Sequence, residues 1–182
     1  MEWVVCSPEE YYSPRMQEFI AHECRLPRNQ WIYHIIHNNL HNNDEHVFID
    51  CEHWCLCLDK HCGDDRRYLV IFKDCALKTI RDLAHAHVAL LEDVRRRVCE
   101  WLCENEGGEF AMYFHFMPSV FQLHMHVRRA DCCRQHLRVQ PLAAVLCNLK
   151  KDPCHYQNAL ILTRFSKKLQ RAETHRNIEI NI

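Results

Sequence analysis

The apolar positions of the chain switch repeatedly between a spacing of three or four residues and a spacing of two, the periods of helix and strand. Met16, Phe19, Ile20 and Cys24 fall at helical intervals after two serine–proline pairs, Ser7-Pro8 and Ser13-Pro14. Each serine offers a capping oxygen and each proline a preset φ, so both pairs predict helix starts, and Pro27 predicts a stop before it. Trp31, Ile32, Ile35, Ile36 and Leu40 predict a second helix over 29–40. Short apolar runs predict strands over 46–50, 54–58 and 68–72. The longest helix is predicted over 84–105, where Val88, Leu91, Val94, Val98 and Leu102 form a stripe and Gly107-Gly108 offers a left-handed stop. Two strands follow, over 109–117 and 119–128, around Met117-Pro118-Ser119. Then come a helix over 141–151 ended by Asp152-Pro153, a strand over 158–165 and a closing helix over 166–174. Strands interleaved with a few helices predict an α+β class, an antiparallel sheet with helices packed on it.

Composition narrows the function. With 182 residues and no repeat or low-complexity linker, the chain suits one domain with a real core. A net charge of -1 and a pI of about 6.9 exclude a grip on long nucleic acid by bulk phosphate neutralisation, but leave room for a small anion in a local pocket. No stretch reaches the roughly 20 apolar residues of a membrane span, and the N-terminus lacks the pattern of a secretory leader. The expectation is an intracellular protein without a membrane partner, in the cytoplasm and with the nucleus also open. Thirteen cysteines cannot all pair within one chain, and they are read as reduced thiols.

The stretch FHFMPSVFQLHMHVRR, residues 114–129, carries the candidate chemistry. On a strand, Gln122, His124 and His126 share one face at steps of about 7 Å, while Leu123, Met125 and Val127 share the other. The pattern fits a polar face turned to water, and it also fits a phosphate site. A neutral imidazole is nucleophilic near pH 7, and one whose second nitrogen donates to a backbone carbonyl aims the free nitrogen outward. His126 and Gln122 offer donors to phosphate oxygens, and Ser119 one to the bridging or leaving oxygen.

With its proline–serine corner and alternating histidines, HFMPSVFQLHMHV resembles the histidine-triad motif of scavenger mRNA decapping enzymes. The segments QWIYHII (30–36), YLVIFKDCALKTIRDL (68–83) and LAAVLCNLKKDPCHYQNALILT (142–163) resemble that family's C-terminal catalytic domain in the same order. The resemblance implies a histidine-triad fold over 28–170, with 1–27 as an N-terminal helical extension and 171–182 as a tail. It implies a hydrolase that cuts the triphosphate of 7-methylguanosine cap dinucleotides or short capped RNA, releasing 7-methylguanosine monophosphate, with no metal or other cofactor. His124 corresponds to the family's nucleophile; His115, Ser119 and His126 correspond to residues around the phosphates. Trp31 corresponds to the aromatic that stacks on the methylated base, Asp59 and Lys60 to a pair near the cap, and Arg138 is expected to reach the phosphates. Where the family has a histidine and a tyrosine, this chain has Gln122 and Val120. The acid that reads the guanine edge is out of register, leaving Asp44 or Glu45. Family members also carry an N-terminal domain that closes over the catalytic one, whereas only 30 residues precede Trp31 here. A homodimer is expected.

A second constellation competes with the first. Cys51, His53, Cys55, Cys57, His61 and Cys62 lie within twelve residues and are zinc-capable ligands, but they lack the paired knuckle spacing of a standard zinc site. Cys99, Cys103, Cys132 and Cys133 are read as buried or incidental thiols. Two other functions stay open: a broader dinucleoside polyphosphate hydrolase, and a cap-binding protein whose catalysis has decayed.

Overall fold

A computed structural model describes residues 3–37, 46–59, 67–130 and 139–164. The elements in chain order are β1 (Trp3–Cys6), α1 (Pro8–Tyr11), α2 (Pro14–Arg25), α3 (Gln30–Ile36), β2 (Val47–Asp50), β3 (Trp54–Leu58), β4 (Arg67–Phe72) and α4 (Val88–Asn105). They continue with β5 (Phe110–His115), β6 (His124–Arg129), β7 (Val139–Pro141), α5 (Leu142–Lys151), α6 (His155–Asn158) and β8 (Ile161–Arg164). Among the described residues the strands form a six-stranded antiparallel sheet, ordered β2-β3-β4-β6-β5-β7, and a separate antiparallel ribbon of β1 and β8. The class is α+β.

Both serine–proline pairs start helices. The Ser7 hydroxyl accepts from Glu10 N while the Glu10 carboxylate accepts from Ser7 N, and Ser13 accepts from Met16 N. The α4 stripe is buried throughout, each side chain contributing about 1.5–3 kcal/mol. It packs into one core with Leu56, Val70, Met125 and Val127 from one face of the sheet. Cys6, Tyr11 and Ile20 from the first 27 residues join the same core. On the other face Cys55, Cys57, Leu69 and Ile71 lie with Ile32, Ile35 and Ile36 of α3. No helix of the described residues is long and apolar enough to cross a membrane.

Several boundaries differ from the pattern-based expectation. The helix predicted over 84–105 begins at Val88, because His85–His87 tighten into a 3-10 turn in which His87 Nδ1 accepts from Ala84 N. That helix ends at Asn105, so Gly108, with φ of 90°, serves the turn into β5 rather than the helix end. The helix predicted over 29–40 is α3, which ends at Ile36. The strands predicted over 109–117 and 119–128 stop at His115 and restart at His124. Pro118 has no N–H for a ladder, and the side chains between part company: Phe116 and Phe121 enter the main core while Val120 lies with α3. Part of the strand predicted over 158–165 is α6 and its connection, leaving four residues in β8. The helix predicted over 166–174 lies outside the described residues.

Candidate active site

Burial sets the register of β6. Met125 and Val127 are fully enclosed in the main core, so alternation turns His124 and His126 to the opposite face; a slip of one residue would drive both imidazoles into the core. His124 stands opposite Ile71, and His126 stands between Leu69 on β4 and Tyr113 on β5. Two residues beyond Tyr113, His115 points to the same face. The rings make a continuous row, with centroids 5.3 Å apart from His124 to His126 and 4.4 Å from His126 to His115. Tyr113 stacks on His126 at 5.4 Å and 17°. Sequence reasoning missed Tyr113, although its position two residues before His115 was an available signal.

His124 is buried, and its Nδ1 lies 2.7 Å from the carbonyl oxygen of Gln122. A carbonyl only accepts, so Nδ1 carries the hydrogen and Nε2 keeps its lone pair. Burial pushes the His124 pKa below the usual imidazole value, against the smaller opposing pulls of the Gln122 carbonyl and the Asp59 carboxylate. The ring is therefore neutral at pH 7. In an NMR titration His124 is expected to protonate below pH of about 6.5. The folded chain then holds fewer protons than the unfolded one once pH drops through that value, so this group lowers stability as the solution is acidified. A midpoint above 6.5 would contradict burial as the controlling influence.

Gln122 stands elsewhere than its alternation suggested. It precedes β6, is fully buried, and its Nε2 donates to the carbonyls of Phe72 and Asp74, both at 2.8 Å. Both amide hydrogens are thus engaged, and the expectation that they serve a phosphate gives way to a clamp. The side chain ties the end of β4 to the residue whose carbonyl holds His124. Gln122→Ala takes a side-chain donor from Phe72 O and from Asp74 O, which keeps the Leu77 N–H, and is expected to lower stability by about 1–3 kcal/mol in urea unfolding. Unchanged stability with weakened phosphate binding would return the amide to the phosphate.

Helix α3 packs against β4 on the histidine face and fills its β3–β4 half, leaving the β6–β5 half to the imidazoles. Trp31 is half-buried at the margin of that cluster, and Val120 is buried within it. Ser119 is exposed in the segment between β5 and β6. Asp59 extends the pairing of β3, its N–H donating to Arg67 O at 2.8 Å, and its carboxylate is near enough to act on His124. The structure thus brings His115, His124, His126, Trp31 and Asp59 to one face. Lys60, Arg138, Asp44 and Glu45 lie outside the described residues.

The cysteine cluster follows the packing of β3. Cys55 and Cys57 are buried with α3, and burial pushes the Cys55 thiol up to about 12, the range of an inert core thiol. Among the described residues no group of three or more histidine, cysteine or acidic side chains is arranged to hold a metal ion; His61 and Cys62 lie outside them. Cys99 and Cys103 are exposed on α4, not buried.

Residues 30–137, more than half of the chain, match the family described as scavenger mRNA decapping enzyme C-term binding. The chain belongs to this family. The m7GpppX diphosphatase of Sus scrofa is 29% identical over 148 residues, covering 70% of this chain and 42% of that protein. That of Mus musculus is 26% identical over 174 residues, covering 81% of this chain and 49% of that protein. The Schizosaccharomyces pombe protein of the same name is 23% identical over 141 residues. The chain spans less than half the length of these curated relatives. Among solved structures, Hnt3 in complex with DNA and guanosine covers 82% of this chain and 96% of its own at 13% identity and a TM-score of 0.46. In this decapping-family domain the match opens on α3 and takes in all three imidazoles of the row.

Proposed function

We propose that this decapping-family domain hydrolyses the triphosphate bridge of 7-methylguanosine cap dinucleotides or short capped RNA fragments. His124 Nε2 attacks the phosphorus next to the methylated nucleoside. A P–N bond forms as the P–O bond to the rest of the bridge breaks, and the remaining nucleotide leaves as its diphosphate. Water then cleaves the P–N bond and releases 7-methylguanosine monophosphate. His126 and His115 donate to phosphate oxygens as charge builds there, Ser119 serves the bridging oxygen, and Trp31 stacks on the base. The observation that carries this reading is the row of three imidazoles, with His124 Nδ1 fixed on a backbone carbonyl, beside the helix that bears Trp31.

The test is hydrolysis of three substrates in the presence of a chelator: methylated cap dinucleotide, unmethylated cap dinucleotide and diadenosine polyphosphate. The reading requires 7-methylguanosine monophosphate from the first, a clear preference over the others, and no inhibition by the chelator. Equal rates on all three favour a broader dinucleoside polyphosphate hydrolase; tight binding without turnover favours a decayed cap binder. The proposal also takes the protein as a homodimer. Sedimentation at micromolar concentration is expected to give twice the 21.9 kDa chain mass, and a single monomeric species would oppose it.

A further inference from the structure

The segment between β5 and β6 follows His115 and carries Ser119, yet it leaves the sheet ladder and so needs another hold. Thr163 on β8 supplies one. Its hydroxyl donates to Phe116 O at 2.8 Å and accepts from Met117 N at 3.0 Å, so one buried oxygen takes both groups of a single peptide link. That link is the second after His115. Among the described residues β8 pairs only with β1, so no ladder joins it to β5 or β6. Thr163 shares the inward side of β8 with buried Ile161, where an apolar residue would serve the core equally well. A hydroxyl there is tolerable only because both backbone groups complete it.

The ribbon that delivers Thr163 is itself pinned. The Arg81 guanidinium, fully enclosed, donates to Cys6 O of β1 at 2.7 Å and to Tyr156 O of α6, the helix that precedes β8, at 2.9 Å. It also lies over the ring of Phe116 at 5.2 Å. Phe116 is therefore held by its ring through Arg81 and by its carbonyl through Thr163. Nothing near 163 in the chain announced this, because the partners are 46 and 47 residues apart.

We propose that Thr163 is a positioning residue: its hydroxyl sets the backbone that leaves His115 and leads to Ser119, and so sets the donors around the scissile phosphate. It touches no substrate. The kinetic part of this inference rests on the proposed cap hydrolysis. Misplacing a donor by a fraction of an ångström weakens charge stabilisation in the transition state more than it weakens substrate binding.

The experiment uses the full chain with Thr163→Val, which keeps the shape and removes both hydrogen bonds, and Thr163→Ser, which keeps the hydroxyl. On methylated cap dinucleotide, Thr163→Val is expected to lose about tenfold or more in kcat with KM within about twofold, and Thr163→Ser to recover most of the loss. Hydrogen exchange at the Met117 amide is expected to quicken in the valine variant and return in the serine variant. A valine variant with wild-type kcat overturns the proposal. So does a loss of kcat that follows thermal stability and is not restored by serine, which would make Thr163 a packing residue only. If the wild-type protein leaves the cap dinucleotide intact, the proposed hydrolysis fails separately. Thr163 is then judged by calorimetric binding of orthovanadate, which takes the trigonal-bipyramidal shape of a phosphoryl-transfer transition state: about tenfold weaker in the valine variant and restored in the serine variant supports it, and equal affinity in all three overturns it.

Discussion

His124→Asn is expected to abolish turnover of the methylated cap dinucleotide, by at least about 10³-fold, while cap binding stays close to wild type. The asparagine amide can occupy the place of Nδ1 and donate to the Gln122 carbonyl, which preserves the start of β6. It has no nitrogen with a free lone pair to offer phosphorus, so the P–N bond cannot form. Burial makes the wild-type ring suited to the task, because it keeps Nε2 unprotonated at pH 7, and the Gln122 contact keeps the hydrogen on the other nitrogen. Rapid quenching followed by intact-protein mass measurement should detect a nucleotidyl adduct on the wild type and none on the variant. Full activity in His124→Asn would remove His124 from the role of nucleophile.

The second large effect is at the base. Trp31→Ala is expected to weaken binding of the methylated cap analogue by about 1–3 kcal/mol, the range for losing an aromatic that stacks on a base. Part of the indole packs at the edge of the α3 cluster, so some loss of stability accompanies the change. Comparison with the unmethylated analogue separates the two contributions. Methylation makes the purine a cation, and the attraction of a cation to the indole face applies only to that ligand, so the methylated analogue should lose more. An unchanged dissociation constant would assign Trp31 to packing alone.

The fold was legible in the sequence wherever one surface of one element carries the information. The α4 stripe, the two serine–proline caps and the apolar runs of β3 and β4 each stand within a few residues, and the structure places them close to expectation. The helix start at Val88, the end of β5 at His115, the start of β8 at Ile161 and the four-residue strand β1 were not legible. Their limits depend on which distant side chains accept them, and a run of four residues is too short for a period to show.

The site divides along the same line. Alternation of Met125 and Val127 with His124 and His126 is a local pattern, and because a strand has two faces, burying the first pair presents the second. The chain by itself thus determined that two imidazoles share one face. Only the tertiary structure decided what surrounds them. Gln122 shared the alternation on paper, but the carbonyls of Phe72 and Asp74, about fifty residues earlier, draw its amide inward. Tyr113 and His115 reached the row through the pairing of β5 with β6, and Thr163 reached Phe116 through a ribbon closed by the two ends of the described chain. The physical reason is that a side chain's face is set by its own strand, whereas its hydrogen-bond partners are set by register between strands, which the packing of the whole core chooses.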